Sequence, residues 1–293
     1  MVQQVKKQID LSIIVPFYHG NQYMDPLMLC LQRNICEVPE RSIEVILVND
    51  SPNEHIEISK DYFERIDIRL LTHKMNRGIH AARLTGLESA RGKYIIFLDQ
   101  DDELLEHALI TQFQTIKDAD MVCANAYVEL PSKQRKILYP NLFVHRWVKW
   151  LWTYIYMGNR IISPGQVMLR KSSIPTFWRN EGYLLKKNGL DDFFLWILLL
   201  KSDSKIEINP SIVYRHRYTD VNYSLNYNNM TQSADEMLCF LKDHNILGKC
   251  QLICYIRNQY YDRMKRKLAI RTFDLRYIDV IFFRVIHKIA CFF

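Results

Sequence analysis

Three carboxylates, Asp99, Asp101 and Asp102, follow directly on the apolar run Tyr94-Ile95-Ile96-Phe97-Leu98, with only Gln100 among them. Ionised side chains this close repel one another and are costly to desolvate alone, so something cationic is expected beside them. A hard divalent cation shared with a phosphate is the usual resolution, which makes a metal–phosphate site at the end of a buried strand the first expectation. An Asp-x-Asp triplet is common in turns, and it carries this meaning only through its surroundings. A second acidic pair, Asp191-Asp192, opens the apolar stretch Phe193-Phe194-Leu195-Trp196. Either residue suits a helix N-terminus, where a carboxylate caps free amide groups; a chemical role competes with that structural one.

The elements that must position these residues follow from periodicity. Residues 9–17 read as a β-branched strand and Ile43-Glu44-Val45-Ile46-Leu47-Val48 as another, with a helical stretch over 24–35 between them. A third apolar segment at 68–71 leads through Lys74-Met75-Asn76-Arg77-Gly78 into a helix, a turn at Arg91-Gly92 and the strand 94–98. Such alternation, with nearly continuous apolar strands, predicts an α/β fold with a mostly parallel sheet between helices. Ligands then collect at the strands' carboxyl ends. The first strand ends in Pro16-Phe17-Tyr18-His19-Gly20 where a dinucleotide fold would want Gly-x-Gly-x-x-Gly, and no Walker-type glycine loop occurs. Phosphate therefore has to be held by metal and side chains.

At 293 residues and 48% apolar composition the chain can bury a large core, in one domain or one domain with an appendage. No window approaches the roughly 18–20 uninterrupted apolar residues of a spanning helix, and residues 1–7 lead into no signal-peptide core, so a cytoplasmic location is expected. Seven cysteines with neither paired nor metal-type spacing read as reduced thiols. The net charge of +7 is local: residues 249–288 hold ten Lys/Arg against three Asp/Glu, and the rest of the chain balances at 29 of each. That basic cluster, interleaved with aromatics, suits an anionic membrane surface, with a solvated helix face as the alternative; no nucleic-acid partner is expected. Residues 142–162, with Trp147, Trp150, Trp152, Tyr154 and Tyr156, read as core packing, or else as an acceptor- or membrane-facing surface. The last segment, 277–293, is too short and too charged to span; it suits an interfacial helix, although a helix docked on the domain would give the same pattern.

Taken together, these segments resemble the family 2 glycosyltransferases, inverting enzymes built on the GT-A nucleotide-diphospho-sugar transferase fold. The resemblance covers about residues 10–224 and divides the chain into a GT-A domain at 9–224 and a helical, basic C-terminal extension at 225–293. Leu11-Ser12-Ile13-Ile14-Val15-Pro16-Phe17-Tyr18 is similar to the family's first strand and the start of its nucleotide pocket, which implies that Pro16 and Tyr18 bind donor. Val45-Ile46-Leu47-Val48-Asn49-Asp50-Ser51 is similar to the second element, where two aspartates are usual. Asn49 replaces the first, so only Asp50 is carried over, as an acceptor for the uracil ring. Asn76-Arg77-Gly78, Ala82-Arg83, Gly86, Ala90 and Gly92 follow the family's spacing into the acidic motif, the most specific match in the chain. It implies that Asn76 and Arg83 bind donor, a guanidinium near a diphosphate being chemically reasonable; alone, Arg83 would read as a helix-surface residue.

Asp99-Gln100-Asp101 then corresponds to the family's Asp-x-Asp, which holds Mn²⁺ or Mg²⁺ against the nucleotide diphosphate. Asp101 is the principal metal ligand in this reading, Asp99 touches ribose or metal, and Asp102 is structural. Gly189-Leu190-Asp191-Asp192 resembles the family's acidic pair, with Asp191 where Glu is usual, and Asp192 is implied as the base that deprotonates the acceptor hydroxyl. Ser163-Pro164-Gly165-Gln166 resembles the acceptor side. Tyr214-Arg215-His216-Arg217, with Asn222-Tyr223-Ser224, resembles the Arg-x-His and trailing Ser region, so His216 is a metal or diphosphate ligand and Arg215 and Arg217 are further candidates. The Gln-x-x-Arg-Trp of processive synthases does not occur, which favours single-sugar transfer.

The resemblance thus implies a metal-dependent inverting transferase that moves one sugar from a nucleotide-sugar, a UDP-sugar, to a hydroxyl of a glycan in cell-surface polysaccharide assembly. The tail points to a lipid-linked acceptor, a polyprenyl-linked glycan of capsule or lipopolysaccharide type, met peripherally at the cytoplasmic face of an anionic membrane through 249–293. Two readings compete. A nucleotidyltransferase would want a glycine-rich, basic loop after the first strand; a noncatalytic homologue would bind nucleotide-sugar or membrane as an assembly partner.

Overall fold

The computed structural model describes residues 8–218, 226–268 and 274–292. Its first part is the alternation β1 (Leu11–Phe17), α1 (Met24–Cys36), β2 (Ile43–Asn49), α2 (Lys60–Arg65), β3 (Asp67–Thr72), α3 (Ile79–Ser89) and β4 (Tyr94–Phe97). Every residue of β1 and β2 is buried, as central strands covered on both faces require, which is why their sequences are apolar runs without alternation. β3, β2, β1 and β4 lie side by side and parallel, Ile13 standing opposite both Val45 and Ile96. Successive residues serve opposite cores: Ile13 and Val15 cluster with Leu27 and Leu31 of α1, Ile14 with Ala82 and Leu87 of α3.

Beyond β4 come β5 (Glu103–Leu104), α4 (Ala108–Ile116), β6 (Met121–Glu129), β7 (Arg135–Ile137), α5 (Leu142–His145), α6 (Leu151–Met157), β8 (Val167–Arg170), α7 (Asp191–Lys201) and β9 (Ile206–Arg217). Among the described residues the strand order is β3-β2-β1-β4-β8-β6-β9-β5, with β7 on β6. Here the sheet becomes mixed: β8 is antiparallel to β4 and β6, β5 to β9 and β7 to β6, while β6 and β9 run parallel. The regular alternation of parallel strands and crossover helices ends at β4; the antiparallel neighbours beyond it need only a short turn or a returning chain. Although β5 has two residues, its pairs Glu103↔Arg215 and Leu104↔Tyr214 fasten the end of the acidic motif to β9.

One charge lies inside the sheet. Glu44 of β2 is fully buried and accepts from Ser12 Oγ at 2.6 Å and from Arg91 N and Nε at 2.7 and 2.8 Å. Burial alone would push its carboxyl up, but these donors outweigh it and hold the group below the usual carboxylate range.

α8 (Tyr227–Asp243), α9 (Lys249–Leu268) and α10 (Ile278–Ala290) pack against the sheet unit, with Met237, Leu241, Tyr255 and Val280 in the same core as α6 and α7. Of the two arrangements open for the terminal helix, docking is found along one face. Phe283 stacks on Tyr156 at 4.2 Å between ring centroids, and Asn141 Nδ2 donates to the Ala290 carbonyl at 2.8 Å. Part of the basic charge is engaged locally, Arg257 with Asp279, Arg284 with Asp262 and Arg276 with Asp274. The opposite face of α10 presents Ile278, Phe282, Val285 and Ile289 to solvent. No helix among the described residues is long and apolar enough to cross a membrane.

Candidate active site

The carboxyl ends of β1, β2 and β4 open into one cavity of about 530 Å³. Pro16, Tyr18, Asp50, Asn76, Arg83, Asp99 and Asp101 line it from the sheet side, facing Asp191, Asp192 and His216. Arg215 and Arg217 are not on this wall: alternation along β9 turns them away from His216, and both pair with Glu103, Arg215 also approaching Glu129 at 3.6 Å. Asn222-Tyr223-Ser224 lie outside the described residues.

On the donor-side wall, Asp50 accepts from His73 Nδ1 at 2.7 Å and from the amides of Arg77 and Gly78 at 2.8 Å each. It therefore shapes the Asn76-Arg77-Gly78 loop, and of about four lone-pair sites on a carboxylate one is left for a ligand. Gly78 ends that loop at φ 85°, a conformation that costs a side-chain-bearing residue, and a Cβ there would lie 2.7 Å from Asn188 Oδ1. Asn188 Oδ1 in turn accepts from Ile79 N at the start of α3. Asn49, which replaces an expected aspartate, uses an amide's two functions: Oδ1 accepts from Ser51 N and Nδ2 donates to the Glu54 carbonyl, a bond a carboxylate could not make. The central residue of Asp-x-Asp has a task of its own. Gln100 accepts from Tyr18 N and donates to Tyr18 O, each at 2.9 Å, which fixes the loop after β1 against the acidic motif.

Arg83 sits on the sheet-facing side of α3 at 3% exposure, so it is no surface arginine. Its Nη1 donates to Asp191 Oδ2 at 2.7 Å and its Nη2 to Asp99 Oδ1 at 2.5 Å. The guanidinium is thus the bridge between the two acidic motifs, with both ends taken by protein. Burial, which disfavours the cation, is overcome by Asp191, Asp99 and Asp192, and the guanidinium stays charged.

Asp99 Oδ2 also accepts from Ser163 Oγ at 3.0 Å. Tyr214 reaches Ser163 at 2.7 Å and donates to Asp102, which further accepts from His216 Nδ1 at 2.9 Å and Arg217 N at 3.1 Å. Asp102 is thereby a buried hub that ties β9 to the acidic loop. His216 thus turns Nδ1 to Asp102, and Nε2 is the ring nitrogen not engaged in that contact. Burial would lower the His216 pKa, but Asp102 outweighs it and the net direction is upward. Asp101 is pushed up to about 7, by burial first and then by Asp102 and Asp99. A cation beside Asp101 would bring that carboxyl back down. Among the described residues no three His, Cys, Asp or Glu side chains converge into a ready metal cage. Mn²⁺ or Mg²⁺ held by one or two carboxylates and completed by phosphate and water needs no such cage, and Asp101, with Asp99 beside it, could supply those carboxylates.

Across the cavity, Asp192 is buried and pushed up to about 7, by burial and then by Asp191, against the pull of Arg83. Its Oδ1 accepts from Phe193 N at 2.7 Å and its Oδ2 from Asn159 Nδ2 at 3.0 Å. Trp178 Nε1 holds the Asp191 carbonyl at 2.8 Å. Sequence reasoning did not single out Gln100, Asn159, Asn188 or the Tyr214 hydroxyl as working parts. They act through neighbours distant in the chain, and only their closeness to recognised motifs could have flagged them.

An open α/β sheet with carboxylates gathered at its carboxyl edge is the architecture of the GT-A glycosyltransferases. The crystal structure of Staphylococcus aureus TarS 1–349 in complex with UDP-GlcNAc has the same fold, with a TM-score of 0.63 and 16% identity over 93% of this chain and 79% of that one. Residues 12–177 match Glycosyl transferase family 2. An uncharacterized glycosyltransferase of Haemophilus influenzae is 31% identical over 259 residues, 86% of this chain and 92% of that protein. The uncharacterized glycosyltransferase YibD of Escherichia coli is 33% identical over 123 residues, 40% of this chain and only 33% of that protein, so the chain spans about a third of that relative's length. The chain belongs to glycosyltransferase family 2.

Proposed function

We propose that this glycosyltransferase moves a single sugar, with inversion and with a divalent metal, from a UDP-sugar to a hydroxyl of a lipid-linked glycan. One observation carries the reading: Arg83 ties Asp99 of the acidic loop to Asp191 beside Asp192, across one cavity. A donor diphosphate placed at Asp101 would then lie opposite a carboxylate whose pKa of about 7 suits a general base. Pro16, Tyr18, Asp50 and Asn76 form the nucleotide wall, Asp50 offering its remaining lone pair to a base N–H. Asp101, Asp99 and His216 Nε2 would hold Mn²⁺ or Mg²⁺, which when bound supplies charge neutralisation for the departing nucleoside diphosphate. Asp192 takes the proton of the acceptor hydroxyl as its oxygen attacks from the face opposite the leaving group. The reading of the donor as a UDP-sugar is supported by the complexes of TarS, of the same fold, with UDP and with UDP-GlcNAc.

For the acceptor and location, the exposed apolar row of α10, the exposed Trp150 and Trp152 and the basic composition of 249–288 support a peripheral seat on the cytoplasmic face of an anionic membrane. Residues 9–224 would act as the catalytic domain and 225–293 as the extension that seats it.

The test is calorimetric titration of UDP-, GDP- and dTDP-sugars with and without Mn²⁺, on the wild type, Asp101→Ala and Asp192→Asn. Binding of a UDP-sugar that needs metal, is lost in Asp101→Ala and persists in Asp192→Asn while transfer is abolished supports the division of roles. Equal loss of binding in both variants refutes it.

A further inference from the structure

Gly158 ends α6 at φ 79° and turns the chain into the segment 159–162, each residue of which is fixed. Tyr139 donates its hydroxyl to the Arg160 carbonyl at 2.6 Å, and Arg160 Nη2 donates to His287 Nε2 of α10 at 2.8 Å. Ile161 is fully buried, and Ile162 N donates to Gln166 Oε1 at 3.1 Å. Within this braced segment Asn159 uses both ends of its amide: Oδ1 accepts from Ile161 N at 3.1 Å and Nδ2 donates to Asp192 Oδ2 at 3.0 Å. Flipping the amide would set oxygen against carboxylate and NH₂ against N–H, so its chemistry fixes the orientation.

We propose that Asn159 is a positioning residue for Asp192, holding the carboxylate in one orientation and favouring its ionised form. The proposal rests on the reading of Asp192 as the base. With Oδ1 on Phe193 N and Oδ2 on Asn159, the carboxylate plane is set by two elements and each oxygen keeps a lone pair for an incoming hydroxyl. The charged or titratable groups that bear on Asp192 are Asp191 on its own helix, Arg83 on α3, Asp99 after β4 and Tyr154 on α6. Burial and Asp191 favour the protonated acid, Arg83 the anion. The neutral Asn159 adds a donor that the anion accepts fully, so it works with Arg83 to keep the base available near neutrality.

The experiment is a carboxyl NMR titration of the 293-residue protein labelled with ¹³C-aspartate, the Asp192 signal assigned by its loss in Asp192→Asn. Asn159→Ala is expected to raise the Asp192 midpoint by about one pH unit or more, the worth of one hydrogen bond to a charged group. Asn159→Asp, which keeps the shape and reverses the interaction, should raise it further and decides the matter if the alanine variant fails to fold. An Asp192 midpoint unmoved in a folded variant overturns the proposal. Because the titration needs no substrate, a failed donor panel counts against the transferase reading alone, whereas donor binding with an unmoved midpoint counts against Asn159 alone.

Discussion

Arg83→Met is the perturbation that most directly tests how the site is held. Methionine keeps much of the arginine's length but removes two charge-assisted bonds, to Asp191 at 2.7 Å and to Asp99 at 2.5 Å, from a site where Arg83 and Asp191 are each 3% exposed as side chains. Such bonds contribute roughly 1.5–3 kcal/mol apiece. Removing one partner of a buried ion pair typically costs about 3–5 kcal/mol, most of it from stranding the remaining charge. The larger of the two carboxylate costs falls on Asp191, since Asp99 is 23% exposed and can regain water. A loss of about 3–5 kcal/mol corresponds to a fall in Tm of roughly 6–20 °C for a domain of this size. The assay is thermal and urea unfolding of Arg83→Met beside the triple variant Arg83→Met, Asp99→Asn, Asp191→Asn. If stranded charge is the cause, the triple variant recovers most of the lost stability while staying inactive. A single variant within about 1 kcal/mol of wild type, or a triple variant no better than the single, would refute the electrostatic account.

Three further outcomes are expected. Transfer activity should rise as pH increases through about 7, because Asp192 must lose its proton to act as base; a flat kcat/KM profile from pH 6 to 8 contradicts that role. Glu44, held below its ordinary range by Ser12 and Arg91, contributes stability that is fully present above the usual carboxylate pKa and is lost as pH falls through and below it, so Glu44→Gln should flatten the acid limb of a stability–pH curve. On α10, Phe282→Ser with Ile289→Ser should release the protein from anionic vesicles in sedimentation assays with Tm unchanged. Phe283→Ala should instead lower Tm by removing the stack on Tyr156, and retention of the outer-face variant on vesicles defeats the membrane reading.

The first half of the fold was legible because its cause is local. Continuous apolar strands, the loop at Asn76-Arg77-Gly78 and the run into Asp99 each encode a buried parallel strand or a strand end within a dozen residues. The turn to mixed pairing was not, since β8, β6 and β9 meet through returns of the chain that no local period records. The tail shows the same boundary from another side. Its composition fits a docked helix and an interfacial one equally, and α10 is apolar on both accounts: one row faces Tyr156 and the core, another faces solvent.

For the site, residue type was readable but connection was not. The carboxylates announced themselves by crowding, yet the sequence holds nothing to say that Arg83 would span them or that His216 would turn its Nδ1 to Asp102. These bonds join residues 16 to 114 positions apart. The one made by His216 depends on strand register: β9 could face Arg215 or His216 to the cavity, and its pairing with β6 and β5 puts His216 there. A one-residue slip of β9 would swap the histidine for two arginines and put permanent cations where the imidazole now faces Asp102. β9 is held in that register along β6, and the two-residue strand β5, which pairs Glu103 with Arg215 and Leu104 with Tyr214, fastens the end of the acidic loop to the same register, so that the face of β9 carrying His216 is the one that meets the loop.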